Sequence, residues 1–202
     1  MRKRVYISAD YDPADGDQEV VDVLNAWADD KKHNVDFVDM AKVVSGTVAD
    51  NPDCRICDLK AEFNRQINAS SAVIVVIGNK TKDRTAGCAC YRCNQEQNSC
   101  TCTPYKNNVG GSKPCKVAET STPGANDDYG CINSVSYLQH EFMQARKKRK
   151  TIIVVYNSKY KQPAWLPPYM KDYEDSAKPF WNTDATGRKV GNYALIKEAL
   201  GY

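Results

Sequence analysis

Histidine is scarce in this 202-residue chain: His33 and His140 are its only two. With so few imidazoles, and with no G-x-S-x-G turn to lift a nucleophile above a sheet, a hydrolase triad is poorly supported. Neither G-x-G-x-x-G nor G-x-x-x-x-G-K-[ST] occurs, which argues against a Rossmann dinucleotide enzyme and a P-loop ATPase. No apolar run approaches the ~20 residues that span a bilayer, and the opening MRKRVYISADYD turns acidic too early for a secretory leader. A cytosolic protein with no membrane partner is therefore expected. The net charge is only +3 and is concentrated in the run Arg146 to Lys150. That run ends a predicted helix, where cations are favourable, so nucleic acid is not an expected partner.

The chain is 42% hydrophobic and 26% charged, enough for one ordinary core, and residues 1–202 read as a single domain. Apolar runs alternate with amphipathic segments, the pattern of a parallel sheet with crossover helices. Val5, Tyr6 and Ile7 make a first strand. Asp15 or Asp17 can cap a helix carrying Val20, Leu24 and Trp27, and Val35, Phe37 and Val38 form a second strand. Ile56, Leu59, Phe63 and Ile67 line a second helix. The continuous apolar run from Ser70 to Gly78 reads as the central strand, buried on both faces. The stretch SVSYLQHEFMQARKKRKTIIVVYN, Ser134 to Asn157, then gives a helix feeding another two-sided strand. An edge strand over Lys178 to Trp181 and a closing helix over Asn192 to Leu200 complete the pattern. The expected fold is α/β: a three-layer α/β/α sandwich on a mostly parallel five-stranded sheet of flavodoxin-like connectivity.

Residues Asn79 to Asn133 interrupt this rhythm. They lack apolar periodicity and hold seven of the nine cysteines, so they read as an insertion with its own means of staying folded, or as a mobile lid. Cys88, Cys90 and Cys93 lie in CACYRC, and Cys100 and Cys102 in CTC. Closely spaced thiolates can occupy adjacent corners of a tetrahedron, so a structural zinc site made of cysteines alone is one reading. Disulfides and free thiols are the others.

Ligands of open parallel sheets bind beyond the carboxyl ends of the strands. Ser8, Asp10, Tyr11 and Asp12 follow the first strand, Asp39 the second, and Asn79 and Lys80 the central one. Ser136 and Gln139 can form a capping box that fixes the start of the next helix on that edge. The helix then carries Tyr137 and Glu141 on one side, four residues apart, and His140 on another, where a structural role is expected.

These stretches carry a resemblance. RVYISADYD, SSAVIVVIGNKT and YLQHEFMQARKKRKTIIVVY are similar to the TIR-like family of the Thoeris type, which belongs with bacterial anti-phage defence. Val5 to Ser8 match a first strand ending in a V-F-I-S-like motif, and Val73 to Gly78 match the third strand. Tyr137 and Glu141 match an aromatic residue four positions before a catalytic glutamate. Tyr137 stands where tryptophan is usual, and the cysteine-rich insertion occupies a normally short approach to the glutamate helix.

The resemblance implies cleavage of the bond between nicotinamide and ribose in NAD+, by hydrolysis or cyclisation, yielding a nucleotide signal for a downstream effector. It also implies self-association through composite sites. Nicotinamide leaves NAD+ from a cationic ring and needs no general acid, so one carboxylate can suffice by stabilising an oxocarbenium-like ribose. Glu141 takes that role; Ser8, Asp10, Tyr11, Asp39, Asn79, Lys80 and Tyr137 are the implied binding residues. Two other readings stay open: a non-catalytic TIR-like interaction module, and a phosphate receiver using Asp10, Asp12, Asp39 and Lys80 around Mg2+.

Overall fold

A computed structural model describes residues 2–12, 14, 16–30, 35–39, 55–84 and 136–202. In chain order the elements are β1 (Lys3–Ser8), α1 (Gln18–Asp29), β2 (Val35–Val38), α2 (Arg55–Ala69), β3 (Ala72–Ile77), α3 (Tyr137–Lys147), β4 (Thr151–Tyr156), β5 (Lys178–Pro179), β6 (Trp181–Thr183), β7 (Lys189–Gly191) and α4 (Tyr193–Ala199). Short 3-10 segments lie at Thr81–Asp83, Pro163–Trp165 and Pro168–Tyr173.

The apolar runs become strands because every residue in them has something to bury against. In β1, Val5 and Ile7 face a core shared with Val20 and Leu24 of α1 and Ile196 of α4. Tyr6, between them, faces the opposite core, with Phe63 and Ile67 of α2 and Phe142 of α3. The same alternation runs through β3 and β4, where Ile74 and Val155 join the first core and Val75 and Tyr156 the second. A strand with two buried faces gains no stability from polar alternation, hence the unbroken Val and Ile.

The five strands are parallel and ordered β2-β1-β3-β4-β5, with β3 central as expected. The chain moves outward from β1 to β2 and then returns across β1 to β3, so the carboxyl ends of β1 and β3 flank the topological switch, where open α/β sheets hold ligands. The expected edge strand over Lys178 to Trp181 requires correction. Lys178 and Pro179 pair with β4 and the Phe180 amide still donates to the Tyr156 carbonyl at 2.9 Å, but Trp181 begins a two-stranded antiparallel hairpin with β7. Trp181 donates its indole N–H to Asn157 Oδ1 at 2.7 Å.

Helix ends follow local chemistry, with one exception. The Ser136 side chain accepts from the Gln139 amide at 3.1 Å and opens α3, and Asn192 does the same for Leu195 at the start of α4. Asp17 occupies the capping position of α1, but its side chain makes no capping bond. Asp15 and the cysteine-rich insertion beyond Arg84, including Cys88, Cys90, Cys93, Cys100 and Cys102, lie outside the described residues. No helix among the described residues is long and apolar enough to cross a membrane.

Candidate functional site

β1 and α3 meet at the carboxyl edge of the sheet, and Glu141 lies between them. The capped start of α3 directs Glu141 inward, where it is only 3% exposed. Tyr6 donates its phenol to Glu141 Oε1 at 2.9 Å, and Ser8 donates its hydroxyl to Oε2. Burial pushes the Glu141 carboxyl from 4.5 up to about 8, against the two hydrogen bonds, which favour the ionised form. The same burial, followed by the charge of Glu141, holds the Tyr6 phenol well above its ordinary range. Both hydroxyls can donate or accept, so this arrangement serves either protonation state of the carboxyl. A positive charge brought beside Glu141 would favour losing the proton. The site can therefore develop negative charge on demand in a poorly solvated place, where that charge acts strongly.

Ser8 sits on the carboxylate, and Tyr137 lies one helical turn from Glu141 with its ring edge-on to Phe63, centroids 5.6 Å apart. Tyr11 is half-buried, its phenol 3.5 Å from the Ile7 carbonyl. Asp39 is buried and accepts from Asn25 at 2.7 Å. Asn79 and Lys80 are exposed in the turn after β3. His140 is buried, and its Nε2 lies 3.0 Å from Asn64 Oδ1 on the facing helix.

Several residues of this edge were not singled out as site residues from sequence. Arg84 pairs with Asp10 at 2.5 Å and Asp12 at 3.5 Å, tying the loop after β1 to the turn after β3. Its signal was the basic turn NKTKDR, within which only Asn79 and Lys80 were singled out. Asp17 is a second buried carboxyl. Its Oδ1 accepts from Asn157 at 2.9 Å, its Oδ2 has no partner, and burial raises it from 3.8 to about 6. A side chain at residue 78 would collide with it, since a Cβ there would lie 2.4 Å from Asp17 Oδ1; hence Gly78 closes the central strand. Tyr6 is the clearest omission: a tyrosine in a buried strand requires a partner for its hydroxyl, and that need was readable.

The carboxylates proposed for a receiver are committed elsewhere, Asp10 and Asp12 to Arg84 and Asp39 to Asn25. Among the described residues, no group of three or more His, Cys, Asp or Glu side chains is arranged to hold a metal ion.

The segment from β1 to the turn after β3 also matches a family by sequence. Residues 6–86 match the family described as Thoeris protein ThsB, TIR-like domain. The resemblance read from the sequence is shown over that segment, which holds Tyr6, Ser8, Asp10, Asp17, Asp39 and Arg84. Glu141 and α3 lie beyond it. No curated protein and no solved structure matches the chain.

Proposed function

We propose that the protein is a TIR-like NAD+ nucleosidase of the Thoeris defence type, acting in the cytoplasm and producing a nucleotide signal read by an effector. The observation that carries this reading is the buried Glu141 carboxyl at the switch point of the sheet, held by Tyr6 and Ser8. The bond between ribose C1′ and the nicotinamide nitrogen breaks, and its electron pair passes to the ring, which leaves neutral. The positive charge moves to the ribose, where ionised Glu141 opposes it. Water, or a nucleophile within the remaining ADP-ribose, then bonds to C1′ and completes hydrolysis or cyclisation. The cationic substrate itself favours the ionised carboxyl, so a group resting at about 8 can work near neutrality.

Incubation with NAD+ at high protein concentration, allowing assembly, should release nicotinamide. Glu141→Gln should lose ~10²–10³ of that rate, the scale of one charge-stabilising group. Wild-type turnover in Glu141→Gln would refute the assignment. A non-catalytic interaction module is the second reading, favoured by the 3% exposure of Glu141. It predicts no nicotinamide release in any assembly state.

A further inference from the structure

The hydrogen bond between Tyr6 and Glu141 joins two firmly placed elements. β1 lies between β2 and β3, so the backbone at Tyr6 is paired on both sides, opposite Val38 and Val73. The Tyr6 ring is fully buried in the core with Phe63, Ile67 and Phe142. On the other side, α3 is seated on α2 by two polar rungs one helical turn apart: His140 Nε2 lies 3.0 Å from Asn64 Oδ1, and Gln144 Nε2 donates to Asn68 Oδ1 at 2.8 Å. Glu141 lies between those rungs in sequence and meets the Tyr6 phenol at 2.9 Å. Packing does not require such a pair. Two apolar groups of the same shape would join strand to helix about as well, with no carboxyl to desolvate.

The two hydroxyls on the carboxyl are not equivalent. Conjugation keeps the phenol O–H near the plane of its ring, and burial, followed by the charge of Glu141, holds Tyr6 well above its ordinary range, so it keeps its proton. Among the described residues its one hydrogen-bond partner is Glu141 Oε1. It therefore donates to Oε1 in both protonation states, because turning to accept would leave its own proton unpaired in the core. The Ser8 hydroxyl, at the end of β1, turns about a single bond and can donate to an ionised Oε2 or accept from a protonated one. The other titratable groups around the pair are Glu62 of α2 and Tyr11, which bear on Tyr6, and Tyr169, which bears on Glu141; none of them carries a positive charge. Donation from Ser8 and Tyr6 is thus what favours the ionised form against burial.

We propose that Tyr6 is a positioning residue of the Glu141 site: its phenol pins Oε1 as a permanent acceptor, so that the proton is gained from and lost to solvent at Oε2, on the Ser8 side. The proposal rests on the NAD+ reading above, in which Glu141 acts ionised. Tyr6 touches no substrate. It acts by easing that ionisation and by fixing which oxygen bears the new charge.

Tyr6→Phe removes the hydroxyl and keeps the ring. A hydrogen bond to a charged acceptor exceeds one to a neutral acceptor by an amount equivalent to roughly one pH unit, so the Glu141 midpoint should rise by about that much from about 8. At pH 7, kcat/KM for NAD+ should then fall about tenfold and recover toward the wild-type plateau as pH passes the new midpoint, which a purely structural loss would not do. The same midpoint can be read without substrate. The decline of urea unfolding midpoints with rising pH, taken relative to the same chain carrying Glu141→Gln, should extend roughly one unit further into alkali. Ser8→Ala, which removes a partner from both forms of Oε2, should shift the midpoint less. An unchanged midpoint for Tyr6→Phe in both readouts, or a larger shift in Ser8→Ala than in Tyr6→Phe, would overturn the proposal and leave the NAD+ reading standing. If Tyr6→Phe does not fold, Ser8→Ala decides alone, and a shift of about one unit there overturns the proposal. If the wild-type chain releases no nicotinamide from NAD+ in any assembly state, the NAD+ reading fails and the part of Tyr6 in the reaction fails with it.

Discussion

Replacing Glu141 with glutamine should make the protein more stable at alkaline pH while leaving it nearly unchanged in mild acid. The folded state raises the Glu141 carboxyl from 4.5 to about 8 through burial. Between those values the folded chain holds a proton that the unfolded chain has released, so stability falls as pH rises. The favourable contribution is complete below about 4.5 and is lost as pH passes through about 8. At about 1.4 kcal/mol per pH unit the full span is on the order of 5 kcal/mol. A glutamine never ionises. Its carbonyl can accept from one of the two hydroxyls, Tyr6 or Ser8, and its amide can donate to the other, so the buried pair stays satisfied. The stability difference between variant and wild type should therefore widen by about 1.4 kcal/mol per pH unit from pH ~5 to ~8 and then level off. Urea unfolding midpoints at a series of pH values measure this directly. A difference that stays constant across that range would refute the buried, proton-holding carboxyl.

In the free enzyme, kcat/KM for NAD+ should rise with pH toward a midpoint near 8, because the ionised Glu141 is the active form; a profile flat between pH 6 and 9 would contradict this. Gly78→Ala should destabilise by roughly 1–3 kcal/mol through collision with Asp17, and the loss should shrink when Asp17→Ala is added; equal losses in both backgrounds, measured by denaturant unfolding, would show the two positions to be uncoupled. We also propose that the cysteine-rich segment holds zinc through cysteines among Cys88, Cys90, Cys93, Cys100 and Cys102. Metal analysis of protein prepared under reducing conditions should find near-stoichiometric zinc, and folded metal-free protein with every thiol titratable would dismiss it.

Much of the fold was legible because local sequence encodes which faces are buried. Unbroken Val and Ile in β3 could only be a strand enclosed on both sides, and Ser136 and Asn192 mark helix starts with their own side chains. Glu141 was singled out by its place four residues after Tyr137, which the family resemblance matches. Its surroundings were not readable, because Tyr6 and Ser8 lie 135 and 133 residues away in sequence and reach it only through the register of β1 beneath α3. Glu141 is a buried carboxyl with a raised pKa, a property that desolvation creates and no motif records. Asp17 looked like an ordinary helix cap, but the nearness of Gly78 and Asn157 after β3 and β4 draws its side chain across the sheet edge. Periodicity determines the face a residue turns inward, whereas the group it meets there depends on crossovers that bring remote segments together.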